Sequence, residues 1–339
     1  MAGRRSALAA LLLAISAPST ASASAQATAT APAEAVTVIR EDWRDPARDR
    51  IVPVKLYIPA GTGPFPVVIH SHGLGGSREG STVILNEVAR AGFLVVALQH
   101  AGSDTGIMDQ GLGALAARDA PVGARAAIDR YRDVPFAVDE LTRRNRAEGA
   151  LRGRLDLSRI GMSGHSFGAL STLTALGQNV PRAPAGAFRE PRIVSGVVYS
   201  PNAPRNEAPD TAFREISAPI LHFTGTEDRT PLDREASPWG RTIPFQHISG
   251  PDQFLVVIHG GDHMLFSGRR MAAGRPQPND AAHLRLITEE TIRFWRAYLA
   301  DDREAAQQLC AIPTRTAALA DAYLKASRCG PPTPIRPAP

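Results

Sequence analysis

The chain has 339 residues, 43% of them hydrophobic, 21% charged, and a formal net charge of +5. That length suits one large α/β domain with trimmings, and the hydrophobic share supports a substantial core. The arginines are scattered among acids, apart from Arg143-Arg144-Asn145-Arg146. The basic stripe of a nucleic-acid binder is therefore absent, and we expect no nucleic-acid partner.

At the start, Arg4 and Arg5 precede a short apolar run from Ala7 to Ala17, and Ala21 to Ala27 is a string of small residues. This is the pattern of a signal peptide over residues 1–27, with cleavage near Ala25 or Ala27. The apolar run is too short to span a bilayer. Removing residues 1–27 takes away two arginines and no acids. The expectation is a periplasmic or secreted protein with no transmembrane segment after signal removal. A twin-arginine route stays open. Residues 28–35, rich in Ala, Thr and Pro, read as a flexible leader.

Two strand-like runs follow, Val36 to Arg40 and Ile51 to Ile58, suited to the antiparallel edge of a mixed sheet. Buried-strand runs come next: Pro66 to His70, Phe93 to Leu98, Ile160 to Met162, Val194 to Tyr199, Ile220 to Phe223 and Phe254 to Ile258. Helical segments such as Val83 to Ala91 and Asp133 to Arg144 lie between them. Short apolar strands alternating with helices predict an α/β fold: a mainly parallel twisted sheet with helices on both faces. Residues 102–125, 179–192 and 201–216 read as connections. The first and third follow strand ends, where open α/β sheets place ligands. A helix is expected over 281–299. The catalytic domain is thus expected over 36–300. Beyond it lies a C-terminal extension over 301–339, with a short helical tail and a Pro-rich end. Its two cysteines, Cys310 and Cys329, suggest a disulfide in an exported protein.

Chemistry concentrates at Gly164-His165-Ser166-Phe167-Gly168, between a strand-like run and the helical pattern Leu170, Leu173, Leu176. This is a G-x-S-x-G elbow, which lifts a serine hydroxyl above the sheet on a sharp turn. Serine needs a base to become a nucleophile, and the base needs a carboxylate to hold its tautomer. Following the order Ser, acid, His, the acid is sought after the Ile220 strand. Asp228 is the choice there, with Glu227 and then Asp210 as alternatives. The base is His263, just past Gly260-Gly261; His259 is the alternative. The oxyanion of an acyl-transfer intermediate needs N–H donors. Phe167, following the nucleophile, and Leu74, in His70-Ser71-His72-Gly73-Leu74-Gly75-Gly76, are the expected donors.

Together, Ser71-His72-Gly73-Leu74-Gly75, the Ser166 elbow, Gly225-Thr226-Glu227-Asp228 and Gly260-x-x-His263-x-x-Phe266 resemble a branch of the α/β-hydrolases. That branch contains the platelet-activating-factor acetylhydrolases and bacterial dienelactone-hydrolase-like proteins. Arg132-Asp133-Val134, leading into Phe136, Val138 and Leu141, resembles a helix of the same branch. The resemblance spans residues 36–300. It implies the α/β-hydrolase fold and a serine esterase or lipase-type activity on acyl esters, without a metal. Dienelactone hydrolases proper use a cysteine nucleophile, so lactone activity does not carry over to Ser166. The family's charged stretch after the Leu98 strand reads here Gln99-His100-Ala101-Gly102-Ser103-Asp104, a departure that weighs against phospholipid recognition.

Competing readings remain. His70-x-His72 with Asp262 and His263 could be drawn as metal ligands. No further His or Asp falls at zinc spacing, and His72 has a place in the oxyanion loop, so no metal or cofactor is expected. A non-catalytic binding protein on a hydrolase fold and an acyltransferase using the same three residues are the others. The expected protein is an exported serine hydrolase. It would cleave a small-molecule or lipid-like carboxylic ester through acyl-Ser166, with Met264 and Phe266 helping to line an apolar site for modest, uncharged acyl groups. Oligomeric state is not readable from the sequence.

Overall fold

A computed structural model describes residues 35–110, 120–204, 206–229, 237–250, 252–332 and 335. The expected signal peptide, and the leader up to Glu34, lie outside the described residues. Strand β1 (Thr37–Asp45) pairs antiparallel with β2 (Arg50–Ile58), and β2 pairs antiparallel with β4 (Leu94–Leu98). Next to β4 come β3 (Phe65–Ser71), β5 (Leu155–His165), β6 (Ile193–Tyr199), β7 (Ile220–Glu227) and β8 (Gln253–Asp262), all parallel. A last strand, β9 (Ala320–Lys325), closes the far edge antiparallel to β8. The sheet order is β1-β2-β4-β3-β5-β6-β7-β8-β9.

Successive strand residues face opposite sides, and both sides are covered, which is why these strands read as unbroken apolar runs. Leu94, Val96 and Leu98 pack beside Val134, Val138 and Leu141 of helix α2 (Ala120–Arg146) and Leu173 of α3 (Phe167–Leu176). Val95 and Ala97 face the other way. They join Ile84, Leu85 and Val88 of α1 (Thr82–Arg90) and Ile287, Phe294 and Trp295 of α4 (Asp280–Leu299). The mainly parallel sheet with helices on both faces is therefore present. Among the described residues, no helix is long and apolar enough to cross a membrane.

Three elements depart from the sequence expectations. Strand β5 starts at Leu155, not Ile160, because its register against β3 shifts between Pro66 and Val67 and absorbs the polar residues that masked it. Helix α2 starts at Ala120, inside the expected connection. Its side chains are exposed from Gly123 to Arg125 and become fully buried only at Arg130, so its first turns carry no apolar period. The extension beyond Asp301 also does more than trail away. Helix α5 (Arg303–Cys310) precedes β9, whose Ala320, Ala322 and Leu324 join the core.

The Cys310–Cys329 disulfide ties the end of α5 to the turn after β9, bridging a sequence separation of 19. A loop of that size should lose about 3 kcal/mol of stability when the bridge is removed. Replacing both cysteines with alanine is expected to lower the urea midpoint accordingly. An unchanged midpoint would mean that packing alone holds the β9 edge.

Candidate active site

Ser166 sits alone between β5 and α3 at φ 54°, ψ −110°. A positive φ is unfavourable for a side-chain-bearing residue and costs on the order of 1–3 kcal/mol. The flanking glycines make the turn feasible. A Cβ on Gly164 would stand 2.2 Å from the Gly168 carbonyl oxygen, and one on Gly168 would stand 1.8 Å from that of Ser71. The elbow is thus pressed against the end of β3, where only glycine fits.

Parallel strands end on the same edge of a sheet, so residues just past β5, β6, β7 and β8 gather at one place. Ser166 follows β5, Ser200 follows β6, Asp228 follows β7 and His263 follows β8. The Ser166 hydroxyl lies 3.0 Å from His263 Nε2, and His263 Nδ1 lies 2.8 Å from Asp228 Oδ1. With Nδ1–H donating to the carboxylate, Nε2 is left as the acceptor for the serine proton. The arrangement can raise the nucleophilicity of Ser166 by removing its proton as it attacks.

Asp228 is buried and richly partnered. The Ser200 hydroxyl donates to Oδ1 at 2.8 Å, and its oxygen is also 2.8 Å from His263 Nδ1. The Thr224 hydroxyl donates to Oδ2 at 2.9 Å, and the Arg241 guanidinium lies 3.5 Å from Oδ1. Burial by itself would raise this carboxyl. The His263 hydrogen bond, the Arg241 and His263 charges and the Ser200 hydroxyl outweigh burial and hold it below the ordinary aspartate value. Behind it, the buried His165 ring lies 2.9 Å through Nε2 from the His263 carbonyl, steadying the loop that carries the base. Burial, followed by the neighbouring His263, pushes His165 down to about 3, so its neutral N–H can donate to that carbonyl.

The alternatives lie elsewhere. Glu227 is exposed. Asp210 is exposed and pairs with His247 at 2.7 Å. His259 is exposed beside Asp321 at 3.4 Å. Asp262 caps the turn after β8 through the Met264 and Leu265 N–H groups and pairs with Arg270. His70 bonds Ser163, and His72 bonds the Gly73 carbonyl and the His100 N–H. Among the described residues, no three His, Cys, Asp or Glu side chains are grouped to hold a metal.

A cavity of about 330 Å³ opens beside the serine, lined by Leu74, Ser166, Phe167, Leu170 and Tyr131 among others. Leu74 and Phe167 line this cavity with Ser166, and Phe167 heads α3, where an N–H has no partner within its own helix. Met264, part-exposed, directly follows the base, whereas Phe266 needs a correction, because it does not line this cavity. Phe266 turns into the core on the tight turn Leu265–Ser267. It is fully buried, with its ring 6.3 Å from those of His165 and Tyr199. Leu170, Val180 and Pro181 supply the apolar lining instead.

Residues 52–109 match the family model described as platelet-activating factor acetylhydrolase, isoform II. The protein has the α/β-hydrolase fold. The matched segment runs from β2 through the Leu74 loop to the turn after β4, and supports the branch that the motifs resemble. No curated protein matches the sequence closely enough to count as a relative.

Several site residues of this hydrolase fold carry no local sequence signal. Ser200, Thr224 and Arg241 come from three separate segments and meet only at Asp228. Ser200 carries one weak mark, its place at the end of a buried strand. A second network lies under the Leu74 loop. Arg130 is fully buried and donates to Ser71 Oγ at 3.0 Å and to the His72 carbonyl. The Ser71 hydroxyl in turn lies 3.0 Å from His100 Nε2, and His100 Nδ1 lies 2.9 Å from Asp133 Oδ2. Burial first, then the Arg130 charge, push His100 down to about 4, so this imidazole is neutral, accepting from Ser71 and donating to Asp133.

This is a second Ser–His–Asp sequence of contacts, but Ser71 is wholly buried and cannot meet a substrate. Its role is that of a strut. The Arg130 guanidinium also stacks 4.3 Å from the Phe167 ring, so one side chain braces both expected oxyanion segments. Burial lowers Arg130 to about 9, which leaves it cationic at neutral pH.

Proposed function

We propose that the protein is a serine hydrolase that cleaves carboxylic esters through an acyl-Ser166 intermediate. The observation that carries this reading is the hydrogen-bonded run from Ser166 Oγ through His263 to Asp228, opening onto the cavity beside Leu74 and Phe167. The family match lends support for an esterase-type hydrolase.

Ser166 Oγ attacks the ester carbonyl while His263 Nε2 takes its proton. The carbonyl oxygen becomes an oxyanion, held by the Leu74 and Phe167 N–H groups. As the C–O bond breaks, His263 returns the proton to the leaving alcohol. A water then repeats the sequence on the acyl-serine, releasing the acid and the free hydroxyl. Asp228 keeps the imidazole oriented and offsets its transient positive charge.

A fluorophosphonate probe should modify the protein once, on the peptide carrying Ser166. Labelling elsewhere, or none while the protein turns over esters, would remove the reading. We also read the chain as exported, supported by the apolar N-terminal run and by a disulfide suited to an oxidising compartment. The N-terminus of the protein recovered from its native cell should then begin near Ala25 or Ala27. An intact Met1 would contradict export by signal cleavage.

A further inference from the structure

Ser200 takes a backbone conformation that a serine does not favour. It follows β6 at φ 55° and is wholly buried. Glycine adopts such a φ without strain, whereas a residue with a Cβ is strained there by on the order of 1–3 kcal/mol. What serine adds over glycine is one methylene and one hydroxyl. The hydroxyl lands between the acid and the base of the catalytic run.

The surrounding backbone leaves this residue little freedom. The Ser200 N–H donates to the Phe223 carbonyl of β7 at 2.7 Å. Its own carbonyl accepts from Arg241 Nη1 at 3.4 Å. The Tyr199 carbonyl just before it accepts the Ser166 N–H at 2.9 Å, so the same stretch of backbone holds the nucleophile's turn. The position of Ser200 is therefore fixed from β7, from the elbow and from the Arg241 segment.

The placement of protons decides what the hydroxyl does. Ser200 Oγ, Asp228 Oδ1 and His263 Nδ1 form a triangle with every side 2.8 Å. The ionised carboxylate only accepts. The Ser200 O–H donates to Oδ1, and the Nδ1–H then has both Oδ1 and a lone pair of Ser200 Oγ in front of it. A ring held by one acceptor can swing about the Nδ1–Oδ1 line, and a second acceptor off that line stops the swing. Nε2 is thereby kept on Ser166 Oγ, 3.0 Å away. Arg241 Nη2 is also near, 3.3 Å from Nδ1, but a guanidinium carries only donors and cannot share this task.

Resting on the acyl-serine reading above, we propose that Ser200 is a positioning residue whose hydroxyl is a second acceptor for the His263 Nδ1–H, in addition to its bond to Asp228. The contact strengthens when the imidazole becomes protonated, because a charged ring is the better donor. The effect therefore falls on kcat and not on KM.

The test measures kcat and KM on p-nitrophenyl butyrate for Ser200→Ala and Ser200→Gly, each alone and combined with Asp228→Ala. Either single substitution should lower kcat about tenfold with KM little changed, the order expected for one hydrogen bond. Ser200→Gly releases the φ strain and should unfold at higher urea than Ser200→Ala, yet be no more active. Activity that follows stability instead, with glycine restoring kcat, would overturn the proposal and make the residue merely structural. In the Asp228→Ala background Ser200 holds Nδ1 unaided, so removing the hydroxyl should lower kcat about tenfold again. No further loss there would mean that Ser200 acts only through the carboxylate, and would overturn the second-acceptor assignment. Unchanged kcat in both single variants, with Ser166 still labelled by a fluorophosphonate, would sink this inference alone. A wild type that neither turns over the ester nor takes the label would remove the acyl-serine reading as well.

Discussion

Asp228→Ala is expected to lower kcat by about 10⁴-fold while KM changes little, the pattern of an interaction made mainly in the transition state. The alanine removes both the acceptor that orients His263 Nδ1 and the charge that favours its protonated form. Ser200 would remain 2.8 Å from Nδ1 as a neutral partner, so some orientation survives and the loss stops short of that for the nucleophile. Asp228→Asn should fall between wild type and alanine, because an amide oxygen can still face Nδ1 without the charge. A loss below tenfold in Asp228→Ala, with the fold intact by circular dichroism, would show that His263 does not depend on this carboxylate.

The second large effect is on stability. Asp133 is completely buried; it accepts from Arg50 Nε at 2.9 Å and His100 Nδ1 at 2.9 Å, and Arg48 Nη2 lies 2.8 Å from it as an ion-pair partner. Asp133→Asn would leave the Arg50 guanidinium facing a neutral amide, and would leave Arg48 paired with Asp45 alone. Removing one partner of a buried ion pair typically costs 3–5 kcal/mol. Because Arg48 and Arg50 keep some solvent contact, about 3 kcal/mol is expected here, read from urea unfolding. Burial by itself would raise the Asp133 carboxyl, but the hydrogen bonds and charges of His100 and Arg50 outweigh it and hold the group at about 2. A folded value below the ordinary 3.8 means that the contribution is complete above about pH 4 and fades as the pH falls toward 2. Wild type should therefore lose stability more steeply than Asp133→Asn between pH 4 and pH 2. Parallel profiles would rule out Asp133 as the titrating group.

What the sequence made legible was what is local. The elbow around Ser166 is a strand, a turn with two glycines and a helix, all within a short window. Asp228 and His263 each follow an apolar strand, and a parallel sheet brings such positions together whatever their spacing. Ser200, Thr224, Arg241 and Arg130 carry no such mark. Each is an ordinary polar residue whose meaning comes from three-dimensional convergence on Asp228 or on the Leu74 loop. Phe266 misled for the complementary reason: a large apolar residue three positions past His263 suggested a wall, yet the tight turn there points it into the core. Strand β9 was hidden because Ala320-Asp321-Ala322 offers little apolar signal, and only pairing with β8 makes it a strand.

The account stands most directly on Ser166. Wild type and Ser166→Ala should be compared on p-nitrophenyl esters of graded acyl length, with a chelator present throughout. The account predicts turnover by wild type that the chelator does not affect, and loss of that turnover in the variant at every chain length. Activity that survives Ser166→Ala would contradict it, and would mean that the nucleophile lies elsewhere.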